Sequence, residues 1–189
     1  MFDAKFKVIT FLFILIELSS TQTLADDIKV AVASNFYPAM KELVLHYELK
    51  QSQTSENHKI VIISGSSGKH YAQIINGAPF DIFFSADKAR PILLEKKGLS
   101  ESESRFTYAL GKLVLWSSLN DFVEKDERLF NNDLRFLAIA NPKIAPYGVA
   151  AREVLISINL WEEVQSKLVR GENIAQTFQF VNSGNAKLG

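Results

Sequence analysis

Short runs of aliphatic and β-branched residues recur along this chain, each followed by a stretch with apolar residues at helical spacing, and that alternation limits the possible folds most. Residues 28–33 (IKVAVA) are one such run; 36–50 follow with Met40, Leu43, Val44 and Tyr47 at i, i+3, i+4 and i+7, which reads as a strand and then an amphipathic helix. The pattern repeats at 59–63 (KIVII), followed by a helix marked by Tyr71, Ile74 and Ile75 that the turn sequence Asn76-Gly77-Ala78-Pro79 ends. It repeats again at 81–84 (DIFF), followed by a helix over 92–97 that closes at Gly98. Strands and helices alternating at this spacing imply an α/β fold with a parallel sheet and right-handed crossovers.

A polar stretch at 100–104 (SESES) breaks the series. Beyond it, 112–116 (KLVLW) and 135–140 (RFLAIA) read as strands of a second α/β unit, with helices over 148–159, 161–169 and 174–181. In the first of these helices Ala151, Val154, Leu155 and Ile158 share one face. The last residues, 185–189, look like the approach to a further strand. The expected layout is a first lobe over 26–109 and a second over 110–189, each a doubly wound, mainly parallel sheet.

The first 25 residues stand apart: Lys5 and Lys7, an apolar run from Val8 to Ile16, then polar residues and Thr23-Leu24-Ala25 with small side chains at the first and third places. This is the pattern of a secretory signal peptide cleaved after Ala25, and the apolar run is far short of the roughly 20 residues that span a bilayer. The expected location is the periplasm. With 21 basic and 21 acidic residues the chain has no net charge, which argues against a polybasic nucleic-acid binder. It contains no Cys, so neither disulfides nor a lipid-modified cysteine is expected. The hydrophobic share of 47% is ample for buried cores.

In open α/β sheets ligands sit where the carboxyl ends of strands lead into helices. After the first strand come Ser34 and Asn35, either of which can cap the next helix, with Pro38 suited to its first turn. After the second comes Ser64-Gly65-Ser66-Ser67-Gly68, whose small residues let the backbone approach a ligand closely. Together they make an anion site without fixed positive charge, the helix N-terminus supplying N–H groups and about half a unit of positive charge. The plainer alternative is that Ser34 and Asn35 are only N-caps and the Ser/Gly loop only a turn.

Other chemistries lack their residues. Gly65-Ser66-Ser67-Gly68-Lys69-His70 lacks the spacing of a P-loop, and Lys69 stands where a nucleophile elbow around Ser67 needs Gly. His46, His58 and His70 fall on different elements and read as surface histidines rather than a metal site. Glu162 and Glu163 suit a solvated helix face, Lys69 a solvent-exposed position, and Trp116 and Trp161 the packing of a core or of the lobes. Arg152, one turn into its helix, could pair with an acid near the cleft, but its sequence context assigns it no role. No constellation of nucleophile, base and orienter is present, so an enzyme is not expected.

The runs VAVASNFYPAM, SGSSGKHYAQIINGAPFDIFFSADKARP, LAIANPKIAPYGVAAREVL and GENIAQTFQFVNSGNAKLG together resemble the periplasmic molybdate-binding proteins of ABC transporters. The resemblance covers nearly all of the chain after residue 25, and 64–91 is its most specific part. It implies a two-lobed periplasmic-binding-protein-like fold that holds molybdate or tungstate between its lobes and delivers it to an inner-membrane permease. It also implies a monomer with no cofactor, the molybdenum being held as an oxyanion and not ligated by side chains. Carried over position by position, it assigns Ser34 and Ser67 as hydroxyl ligands and Asn35 as the mark of one branch of the family. Tyr147 and Ile174 fall where the family offers backbone amides at helix starts. In another branch a later tyrosine is a ligand, and its place would lie beyond Gly189. The family also continues past the Asn185-Ala186-Lys187-Leu188-Gly189 stretch into segments that complete the first lobe, so the first lobe is expected to be incomplete at its C-terminus here. The rival readings are a binding protein for sulfate or another small anion, a hydrolase, a regulator's effector domain, or a remnant that no longer binds.

Overall fold

The computed structural model describes residues 27–52, 58–119 and 134–189. The proposed signal peptide lies outside them. Among the described residues no helix is long and apolar enough to cross a membrane.

The first lobe is built from β1 (Ile28–Ala33), α1 (Tyr37–Gln51), β2 (Ile60–Gly65), α2 (Ser67–Ile75), β3 (Ile82–Phe84) and α3 (Ala89–Lys96). Its three strands are parallel in the order β2-β1-β3, with Val30 opposite both Ile62 and Ile82. Alternate side chains of β1 point to opposite faces. Val30 and Val32 pack with Met40 and Val44 of α1 and with Ile60 and Ile62 of β2. On the other face, Phe83, the partner of Ala31, meets the His70 ring of α2 edge-on at 6.1 Å. Helices therefore cover both faces, and β1 runs through the middle, its last four residues no more than 2% exposed. Gly77 and Gly98, at φ 84° and 67°, take the left-handed conformation that ends α2 and α3 as the sequence predicts.

The second lobe contains β4 (Leu137–Ala140), α4 (Pro146–Ser157), α5 (Trp161–Val164), a 3-10 turn (Gln165–Lys167), β5 (Leu168–Gly171) and α6 (Ile174–Asn182). β4 and β5 are parallel, and Leu188 adds a parallel bridge at Leu137, in line with the strand expected near the end of the chain. Leu137 and Ile139 pack with Leu155 of α4 and Val164 of α5, whereas Ala138 packs with Val181 of α6. This sheet too has helices on both faces.

Two expectations fail here. Residues 112–116 are not a strand: Trp116 exchanges both backbone hydrogen bonds with Gly189, at 2.8 and 3.0 Å, but the rest of the run has no ladder partner among the described residues and Val114 is 71% exposed. Strand propensity without a neighbour in register does not make a strand. The helix expected over 161–169 stops at Val164, and Leu168–Gly171 becomes β5 because pairing with buried β4 outweighs continuing an exposed helix.

Candidate functional site

The carboxyl ends of β1, β2 and β5 and the loop after β4 open onto one small cavity. It is lined by Ser34 and Asn35 from the β1–α1 turn, by Gly65, Ser66 and Ser67 from β2–α2, by Ala145 to Tyr147 at the start of α4, and by Asn173 and Ile174 at the start of α6. All five sequence-assigned residues, Ser34, Asn35, Ser67, Tyr147 and Ile174, thus meet in one place, and no charged side chain among the described residues lines it.

The donors left over at the helix starts define its chemistry. The first N–H groups of a helix have no partner within it. In α2, the Lys69 N–H donates to the Ser66 hydroxyl at 3.4 Å, the His70 N–H to the Ser66 carbonyl at 3.1 Å and the Gly68 N–H to the Ile144 carbonyl at 2.9 Å. The Ser67 N–H is left without a backbone partner among the described residues. In α4, Pro146 has no N–H and both Gly148 and Val149 donate to the Ala145 carbonyl, which leaves the Tyr147 N–H. In α6, the Asn173 side chain caps the Gln176 N–H at 3.0 Å and its carbonyl takes the Thr177 N–H at 3.1 Å, leaving the Ile174 and Ala175 N–H groups, of which Ile174 lines the cavity. Three helix N-termini face one cavity, each carrying about half a unit of positive charge.

Hydroxyls complete the set. Ser67 is fully buried and its oxygen accepts the Ala86 N–H at 2.9 Å, so its own proton is directed elsewhere. Ser34 is 7% exposed; its N–H donates to the Gly65 carbonyl, while its hydroxyl and the Asn35 amide make no hydrogen bond among the described residues. Neither caps α1, whose N-cap position is Phe36 in helical conformation with no side-chain cap. This departs from the N-cap alternative, because the chain is already helical at Phe36 and the side chains before it lie along the cavity instead.

Neighbouring charges are occupied. Arg90 is paired with Asp87, which also accepts the Arg90 N–H at 3.0 Å. Lys69 is exposed, as expected, but reaches across to Glu172 at 3.7 Å. Arg152 pairs with no acid among the described residues and lies over the Trp161 ring at 5.4 Å, and Trp116 stacks on Phe178 at 4.8 Å. A larger cavity of about 770 Å³ beside the site mixes apolar Phe83, Phe106 and Leu110 with acids and bases such as Asp87, Lys88 and Glu95. The small cavity is the better candidate on its chemistry.

His70 corrects the expectation of a surface residue, being 1% exposed. Its Nε2 lies 3.2 Å from the Val32 carbonyl and its Nδ1 3.1 Å from the Gln73 amide, and a Cβ on Gly65 would come within 2.9 Å of the ring. The imidazole ties the end of β1 to α2 directly beneath the donor loops. Burial lowers its pKa, against the hydrogen bonds with Gln73 and Val32 that raise it, and Lys69 adds to the lowering. The folded chain therefore holds His70 neutral where the unfolded chain, at about 6.5, binds a proton. The stability this contributes is complete above pH 6.5 and is lost as pH falls from there toward the folded pKa. Urea midpoints should drop between pH 7.5 and 5.5 with a slope that His70→Gln flattens, by at most about 1.4 kcal/mol per pH unit for one proton. Equal slopes would mean that folding leaves the His70 pKa unlowered.

The residues that sequence reasoning missed are caps. Asn173 with Gln176 three positions on, whose amide oxygen takes the Glu172 N–H at 2.6 Å, is close to a capping box and was legible. Ser66 was not, because nothing in a Ser/Gly loop tells the cap from the ligand.

The profile of the bacterial extracellular solute-binding proteins matches residues 28–189. The molybdate-binding protein ModA of Azotobacter vinelandii is 46% identical over 166 residues, covering 87% of this chain and 64% of that protein. ModA of Rhodobacter capsulatus is 41% identical over 165 residues, with the same coverage of 87% and 64%. The chain thus spans a little under two thirds of the length of these relatives. Among solved structures, the periplasmic molybdate-binding protein of Azotobacter vinelandii superposes with a TM-score of 0.79 at 42% identity, over 86% of this chain and 70% of that one.

Proposed function

Because the chain belongs to the bacterial extracellular solute-binding proteins, we propose that it captures molybdate or tungstate in the periplasm and passes the ion to an inner-membrane ABC permease. The observation that carries this reading is the convergence of the Ser67, Tyr147 and Ile174 N–H groups on one cavity without charged side chains. Three helix N-termini together offer roughly one and a half positive charges, matched to a dianion that must leave water to enter. The resemblance to the molybdate-binding ModA proteins supports molybdate as the anion.

The arrangement binds and does not react. Among the described residues it offers unpaired N–H groups and hydroxyls with no base lining the cavity to activate them, so the reading is of a non-enzymatic, cofactor-free carrier acting as a monomer without nucleic acid. Residues 1–25 serve as the cleaved signal peptide, 26–109 form the first lobe and 110–189 the second. Selectivity follows from protonation. Molybdate, tungstate and sulfate are fully deprotonated at neutral pH, whereas phosphate keeps a proton that main-chain N–H groups cannot accept, and an unmatched polar group is costly.

A thermal melt against molybdate, tungstate, sulfate and phosphate tests this. At a hundred times the dissociation constant a ligand adds about 2.7 kcal/mol, a rise of roughly 5–10 °C for a chain of this size. Molybdate and tungstate should raise the midpoint by that amount and phosphate should leave it in place. A shift with sulfate alone would favour the sulfate reading, and one with phosphate alone would defeat the donor argument.

A further inference from the structure

The geometry points to Gly68 as the residue that lets the two lobes close on the bound anion, an interlobe lock that adds no ligand donor. Gly68 sits in the first turn of α2, in the first lobe, and its N–H donates to the Ile144 carbonyl of the second lobe at 2.9 Å. A Cβ at this position would lie 2.5 Å from that carbonyl oxygen and 2.9 Å from the Ile144 Cα, both backbone atoms of the opposite lobe. The third neighbour, an Arg90 guanidinium nitrogen at 2.9 Å, ends a flexible side chain and can move aside.

Glycine here is not needed by the first lobe. Gly68 does not have the positive φ that marks Gly77, Gly98 and Gly184, so alanine would fit its own backbone and favour the helix. What alanine removes is the close approach of the lobes, one residue from Ser67 and three from Tyr147. A substitution that stabilises a helix and weakens binding separates a closure residue from a merely structural one. The Lys69–Glu172 pair spans the same seam but is exposed on both sides, and such pairs contribute little. This inference rests on the oxyanion reading for its ligand but not for its geometry.

The full chain has no Cys, so Glu48→Cys on exposed α1 and Glu163→Cys on exposed α5 can carry a unique spin-label pair, one label per lobe. In the wild-type background molybdate should populate the short interlobe distance. With Gly68→Ala that population should be lost, molybdate affinity should fall at least tenfold, and the melting midpoint without ligand should be unchanged or higher. A tenfold loss corresponds to closure-competent molecules dropping to a tenth of their share. Equal distances and equal affinity overturn the lock, as does a lowered midpoint accounting for the loss. A wild-type chain indifferent to all four anions overturns the oxyanion reading instead. The lock is then judged on the unliganded distributions: a short-distance population that Gly68→Ala lacks supports it, and identical distributions overturn it.

Discussion

Gly148→Ala is expected to unfold the start of α4 and with it much of the second lobe. A Cβ at 148 would stand 2.1 Å from the Ala140 carbonyl oxygen and 2.7 Å from the carbonyl carbons of Ala140 and Asn141. All three are backbone atoms at the end of β4, where Leu137 to Ala140 are no more than 4% exposed, so nothing there can swing away. Helix and strand must part. Overpacking of a core costs about 1–3 kcal/mol and more where backbone must move, so a loss of about 3 kcal/mol or more is expected, against a total stability of about 5–15 kcal/mol. Both tryptophans report on this lobe, Trp161 packing against the Leu137–Ile139 core and Trp116 against Phe178. Their fluorescence in a urea titration should show the midpoint falling, and because Tyr147 moves with Gly148, anion binding should vanish together with it. An unchanged midpoint would mean that α4 can slide off β4 without loss.

The contrast between the two glycines marks what the sequence could and could not convey. Strands β1 to β3 were legible because each is a compact aliphatic run followed by helical periodicity. β5 was hidden, since Leu168-Val169-Arg170-Gly171 directly follows a helical segment and only its partner β4, distant in sequence, makes it a strand. Residues 112–116 misled in the opposite sense, with strand residues and, among the described residues, no partner beyond Gly189 at Trp116. In the site, the hydroxyls of Ser34 and Ser67 were visible as residue types. The Tyr147 and Ile174 N–H groups were not, because any residue but proline supplies one and their placement depends on where each helix starts. Only resemblance located them in advance. His70 was misjudged because a polar residue in the first turns of a helix gives no sign that a glycine on the facing strand leaves room for its ring.

That dependence on backbone donors sets up the second large effect. Ser67→Ala should cost both binding and stability, for its hydroxyl accepts the Ala86 N–H and has its proton left for the anion. Losing a hydrogen bond to a charged ligand costs about 1.5–3 kcal/mol, a ten- to hundredfold weaker affinity, and the unpaired, half-buried Ala86 N–H about 1 kcal/mol of stability. Ser34→Ala should weaken the anion similarly and leave the unliganded midpoint in place, its hydroxyl having no partner among the described residues to lose. Tyr147→Phe should change neither, because the donor at 147 is the main-chain N–H. The main-chain donors can be removed one at a time by proline: Ile174 is the first residue of α6, where proline's fixed φ and missing N–H are tolerated, and Asn173 before it is extended at φ −151°, ψ 173°, as a residue preceding proline must be. Ile174→Pro should therefore fold normally and bind the anion as weakly as Ser67→Ala. Calorimetry on the four variants reads the donors separately. Full affinity in Ile174→Pro would show that α6 only borders the cavity, and the positive end facing the anion would then be that of α2 and α4 alone.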